Sequence, residues 1–242
     1  MGSDQKVRVK GLWKDVIGMM ERGTRLPSEV ADVLQVINDS RDGASALLSA
    51  YRASRVSGSE LTFDLEDASK FLRDFAGLKG QDCARWLTRE VPAGNHWAIC
   101  GNLTSKQILA LVTKVPHWRW TPENLRAIDV DFDARQPAEQ ILWTPAGLEA
   151  TQACPKFVGV SYRWLWEVKE QVVTCREAVI LLLQIYWKHK VWLDPVGWTC
   201  TGSRRVDGGG VYVDGYDGEL DVRWNNPGNA YPSGSSRSVV LG

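Results

Sequence analysis

The sequence predicts an α+β fold, with a helical N-terminal region followed by a mixed α/β region that ends in a twisted antiparallel sheet. Three observations carry this. Apolar residues recur at helical spacing through most of the first 125 positions. A long Leu/Ile/Val-rich stretch, CREAVILLLQIYWKHKVWL (175–193), has the length of a buried helix. From residue 198 onward, short alternating stretches are separated by Gly, Asp, Asn and Pro turns.

In chain order, the first helix is expected over 11–23, with Leu12, Val16, Met19 and Met20 on one stripe and Gly23 as its stop. Pro27–Ser28 opens a second over 26–43, and 43–54 makes a short third. Asp64 caps a helix over 64–80 that turns Leu65, Ala68, Phe71, Leu72 and Phe75 to one side. Residues 81–91 are read as continuing the bundle. Thr104 or Ser105 caps 103–115, and Thr121-Pro122-Glu123 is the start signal of another helix over 121–129. The texture then turns loop-rich through 129–150, and the β-branched, aromatic 156–168 is expected to contain a strand. Thr174 caps the long helix over 175–193, which Asp194–Pro195 ends. Strands follow near 197–203, 210–216, 219–224 and 236–241, with turns at 208–210, 217–218, 226–227 and 232–234. The domain boundary falls between 115 and 155, and is set at 125/126.

Composition excludes several classes. Lys plus Arg equals Asp plus Glu, so the basic footprint of generic nucleic-acid binding is missing. Lys6, Arg8, Lys10 and Lys14 read as a solvated helix face. The five cysteines are widely and irregularly spaced with no CxxC pair, the pattern of buried free thiols in a reducing compartment. The opening residues lack an apolar signal core, so a cytoplasmic location is expected, with virion or surface display still compatible. The run AVILLLQIYW is too short to span a bilayer.

No phosphate loop, dinucleotide fingerprint, nucleophile elbow or HExxH occurs, and His96, His117 and His189 lie in separate segments. No enzyme activity and no cofactor are expected. Asp214, Asp217, Glu219 and Asp221 could offer oxygens to calcium, but the EF-hand order is absent and Asp-Gly is a favoured hairpin turn. No metal site is therefore assigned. The 12 tryptophans are mostly packing residues, with a stacking platform for a sugar or base as the sharper alternative.

The final ribbon is where function is expected. Of the 37 residues from 202 to 238, 23 are Gly, Ser, Asp, Tyr or Asn, a palette shared with antibody combining sites. Val211 and Val213 alternate with Tyr212 and Asp214, and Leu220 and Val222 with Asp221 and Arg223. One face is regular and apolar and should pack. The other is polar and aromatic and should meet water or a partner.

LDVRWNNPGNAYPSGSSRSVV (220–240) resembles the C-terminal end of C-type-lectin-like and formylglycine-enzyme-like domains, in which an Asn-Asn-Pro-x-Asn stretch and a later Gly…Arg-x-Val element close the fold. It looks most like the variable proteins of diversity-generating retroelements. In these a reverse transcriptase copies a template, mutates adenines and rewrites the gene's end, leaving a fixed lectin-like scaffold with a hypervariable ligand-binding face. This chain departs from that pattern in having Gly234-Ser235-Ser236-Arg237 where a Gly-Phe-Arg element is common, and SRRVDGGGVYV in place of an Arg-Gly-Gly-Ser-Trp lead-in.

The resemblance covers roughly residues 200–242, or 150–242 if REAVILLLQ is the scaffold helix, and does not explain the N-terminal helices; the helical region over 1–125 is read separately as an adaptor or oligomerisation module. The resemblance implies a C-type-lectin-like ligand-binding domain over 126–242, with a variable region at about 200–242. Scaffold positions would be Val211, Val213, Leu220, Val222, Asn225, Asn226, Pro227, Arg237 and Val239. Ligand-facing, variable positions would be Tyr212, Asp214, Tyr216, Asp217, Asp221, Arg223, Trp224, Asn229, Tyr231 and Ser233. The implied partner is a protein or glycan bound through this surface, without nucleic acid or a membrane span, and with homo-oligomerisation through the N-terminal helices. The rival readings are an invariant carbohydrate-binding or phage structural module, and an enzyme on the formylglycine-oxidase-like fold that would need a reactive thiol such as Cys200.

Overall fold

The computed structural model describes residues 61–79, 82–128, 138–168 and 171–242. The expected helices over 11–23, 26–43 and 43–54, and the oligomerisation role given to them, lie outside the described residues. All described residues belong to one compact unit, Ser49–Gly242.

The fold is α+β. Helix α1 (Leu65–Lys70) runs on as a π-helical turn, Phe71–Phe75. Strand β1 (His96–Cys100), helices α2 (Ser105–Val112) and α3 (Thr121–Ile128), and strand β2 (Ile141–Pro145) follow. Next come two short helices, α4 (Ala150–Ala153) and α5 (Tyr162–Glu167), and the long α6 (Cys175–His189). The chain ends in β3 (Trp198–Arg204), β4 (Gly210–Asp214), β5 (Asp221–Asn225), β6 (Gly234–Ser235) and β7 (Val240–Leu241). One sheet has the order β1-β2-β7 and is antiparallel; the other has the order β5-β4-β3-β6, antiparallel except for the short β3–β6 pair.

Several starts are dictated locally. Asp64, Thr104 and Thr174 each close a capping box, with Asp67, Gln107 and Glu177 reaching back to the cap's own N–H. Helix α6 is buried along almost its whole length, and its Gln184 explains how an amide sits in that apolar run. Gln184 accepts from the Cys100 N–H at 3.3 Å and donates to the Ala98 carbonyl at 3.0 Å, satisfying β1 backbone that no strand among the described residues pairs on that side. One apolar core runs from Leu61 to Val239 and includes Leu125, Ile141 and the middle of α6, so residues on both sides of position 125 share it.

Four expectations are corrected. In place of the helix continuing over 81–91, the described residues 82–91 form a 3-10 turn, Cys83–Trp86, opened by Asp82. The strand expected in 156–168 is instead α5, because the Ser161 hydroxyl accepts from the Trp164 N–H and caps a helix. Helix α6 stops at Lys190 in the left-handed conformation, short of Asp194–Pro195. The chain turns there so that Trp192 stacks on Tyr186 at 4.1 Å and Leu193 enters the core. The last strand, β7, leaves the ribbon's sheet and pairs with β2.

Candidate functional site

The ribbon's pleat is set by its register. Tyr212 pairs with Arg223 and Asp214 with Asp221 across β4–β5, and Cys200 pairs with Tyr212 across β3–β4. These residues therefore share one face. The opposite face carries Val211, Val213 and Val222, all fully buried in the main core that α6 completes. The Asp217–Gly218 turn has both residues at positive φ, 55° and 79°, which is the conformation Asp-Gly adopts at low steric cost.

On the Tyr212 face, three aromatic rings meet. Trp198 lies 5.4 Å from Tyr212 and 5.6 Å from Tyr231, and all three are half-buried. Asn229, exposed, donates to the Tyr231 hydroxyl at 2.9 Å and extends this cluster into the loop after β5. Asn226 organises that loop by accepting from the Gly228 N–H at 2.9 Å. Ser233 is exposed, and its carbonyl accepts from the Trp198 N–H at 3.3 Å. Tyr216 is half-buried and Asp217 exposed, both at the tip between β4 and β5.

Two predicted residues are less open than expected. Asp214 and Asp221 lie on the Tyr212 face but are only 6% and 3% exposed. Arg223 covers Asp221, with Nε 2.5 Å from its Oδ2, while Asp214 accepts from the Tyr216 N–H at 3.2 Å. Burial, and then the neighbouring Asp221 charge, push the Asp214 carboxyl well up; burial raises that of Asp221. Burial and then Asp214 push the Tyr212 hydroxyl up to about 12. The pair is therefore a buried acidic part of this face rather than part of its open surface. Trp224 is the second correction. It pairs with Val211, so its phase is that of the valines, and it reaches solvent only at the strand's end, 43% exposed and covered on one side by Arg205 at 4.1 Å. Of the ten residues, Tyr212, Asp214, Asp221 and Arg223 thus share one face, Tyr231 and Asn229 join it through Trp198, Tyr216 and Asp217 lie at the β4–β5 tip, Ser233 bonds to the Trp198 backbone, and Trp224 is in phase with the valines.

Sequence reasoning left out Trp198 and Tyr162. Tyr162, from α5, packs where a Cβ on Gly210 would stand, and so requires glycine at the start of β4. The signal for Trp198 was its even spacing from Cys200 on an alternating strand. Cys200 is 3% exposed, and burial pushes its thiol up to about 11, which keeps it protonated rather than nucleophilic.

Behind the patch lies a buried charge network. Asp194 accepts from the Ala150 N–H at 2.6 Å and the Thr199 hydroxyl at 2.5 Å, and pairs with Arg237 at 3.4 Å, both side chains being fully buried. Arg237, which the resemblance placed in the scaffold, thereby ties the chain's end to the start of α4 and to β3. Among the described residues no group of three or more His, Cys, Asp or Glu is placed to hold a metal ion, and no helix is long and apolar enough to cross a membrane. Comparison with family models, curated proteins and solved structures found no match.

Proposed function

We propose that this chain is a non-enzymatic ligand-binding protein with a C-type-lectin-like C-terminal scaffold, whose Tyr212 face is the ligand surface and is diversified by a retroelement. The observation that carries the reading is the two-sidedness of the ribbon. Val211, Val213 and Val222 are sealed in the core, while Tyr212, Trp198 and Tyr231 are left half-open beside Asn229 and Arg223. A change on that open face alters what is recognised without creating a cavity in the core. Rigid aromatic rings supply contact area at low entropic cost, and short polar side chains beside them supply adaptable hydrogen bonds. The five free, buried cysteines support a reducing compartment such as the cytoplasm.

Sequencing the 3′ end of the gene across many cells tests this reading. Substitutions are expected at the codons of Tyr212, Tyr216, Asp217, Arg223, Trp224, Asn229, Tyr231 and Ser233. Val211, Val213, Leu220, Val222 and Arg237 should stay fixed, and a near-copy differing at adenines should lie beside a reverse transcriptase gene. An invariant ribbon with no such copy overturns the retroelement reading and leaves an invariant binding module.

A further inference from the structure

Two of the buried thiols meet against α1. The Cys83 N–H donates to the Ser69 hydroxyl at 3.0 Å, and the Cys100 thiol donates to the carbonyl of the preceding residue, Ala68, at 3.8 Å. Consecutive residues of one helix thus hold both cysteines, and their thiols are hydrogen-bonded to each other. The two come from different elements. Cys83 opens the 3-10 turn Cys83–Trp86, and Cys100 ends β1. Both are fully buried in the main core.

The two members are not equivalent. Cys100 is fixed in a strand ladder opposite Ile141, with its N–H bonded to Gln184 of α6. Burial pushes its thiol well up. Cys83 lies one layer beneath the surface, since Asp82, Ala84 and Arg85 around it are exposed. The hydrogen bond with Cys100 draws the Cys83 thiol below its ordinary value against the effect of burial, and the Ser69 hydroxyl acts in the same direction. The thiolate is the reactive form of cysteine, so Cys83 is the attacking member and Cys100 the resolving one. The cysteines of the second, smaller core are engaged otherwise. Cys154 shares a hydrogen bond with the Ser238 hydroxyl at 3.5 Å, and Cys200 with Tyr162.

We propose that Cys83 and Cys100 are a peroxide-oxidised pair, closing a reversible disulfide that clasps the 3-10 turn to β1. The Cys83 thiolate attacks one oxygen of hydrogen peroxide, the O–O bond breaks, and hydroxide leaves a sulfenic acid on Cys83. The Cys100 sulfur then attacks the Cys83 sulfur and gives up its proton. The S–O bond breaks and water departs. In sum, two thiols and one peroxide give one disulfide and two waters, and a thiol reductant such as glutathione reverses the bond by exchange. Closing the sulfurs to about 2.05 Å requires movement. That movement falls on Cys83, which lies in one short turn, while Cys100 stays in its ladder. Burial of the pair shields the sulfenic acid from a second peroxide until Cys100 resolves it. The clasp does not depend on the reading of the Tyr212 face, from which it is separate in the chain and in the fold.

The test exposes the reduced, folded full chain to hydrogen peroxide, removes the peroxide, then unfolds and alkylates the chain for intact mass and peptide mapping. Two of the five thiols should be lost to alkylation, with one linked peptide pair joining Cys83 to Cys100, and dithiothreitol should restore all five. Cys83→Ser should keep its remaining thiols through the same exposure, whereas Cys200→Ser should still lose two. Retention of all five thiols in the wild-type chain overturns the proposal. So does a disulfide that joins any other two cysteines, or oxidation of Cys83 that runs on to the sulfinic acid without linkage. Loss of two thiols in Cys83→Ser overturns it as well. The wild-type peptide map decides the matter even if a variant fails to fold, and none of these results bears on the sequencing test of the ribbon's variability.

Discussion

Glu149 shows how one side chain reports on the ground beneath the proposed surface. It precedes α4, accepts from the Val196 and Gly197 N–H groups, and faces the Asp194 charge. Burial first, and then Asp194, push its carboxyl up to about 7. The folded state thus holds this proton more tightly than the unfolded chain. The corresponding stability is complete below the ordinary carboxylate range and is lost as pH rises toward 7. The urea midpoint of the wild-type chain is expected to fall between pH 5 and pH 8. Glu149→Gln should flatten that slope without removing it, since Asp214 and Asp221 are raised as well and contribute with the same sign. Identical slopes in the two proteins would contradict the assignment. None of this was legible in the sequence, where Glu149 sits in a turn-rich stretch. Its surroundings come from residues 194–197 and 237, and a desolvated carboxyl is a property of the neighbours that fold against it.

At the scale of elements, legibility followed how local the physics is. The caps of α1, α2 and α6 and the Asp217–Gly218 turn were readable, because cap, partner and turn residues lie within three or four positions of one another. Thr174→Ala removes the cap of the helix on which both sheets rest. It is expected to lower the unfolding free energy by about 1 kcal/mol, measured by chemical denaturation, with the Tyr212 surface unchanged; a neutral result would show that Glu177 alone suffices. Strand β1 was missed because its five residues, His96–Cys100, hardly alternate: four of the five are buried. Such a run is set by the layers above and below it rather than by a period of two. The strand expected in 156–168 failed for the converse reason. Its aromatic and β-branched content fits either state, and one serine hydroxyl at the helix start decided it.

For the whole molecule, the packing of five thiols gives a global check. Cys83, Cys100, Cys154, Cys175 and Cys200 are all buried and free. Alkylation of the folded chain should label none of them and, after unfolding, all five, as read by intact mass. Rapid labelling of Cys200 alone would revive the enzyme reading on a formylglycine-oxidase-like fold. By itself the sequence determined the α+β class, the starts of α1, α2 and α6, and the alternation that sends Val211, Val213 and Val222 inward with Tyr212 and Arg223 outward. These depend on spacing within a single segment. Only the tertiary structure decided that Asp214 and Asp221 are buried, that Trp198 joins Tyr212 and Tyr231, and that Trp118 and Trp120 stand beside Trp224 round the edge of β5. Those contacts join residues as many as 106 positions apart, and chain neighbours carry no information about which distant segment closes over them.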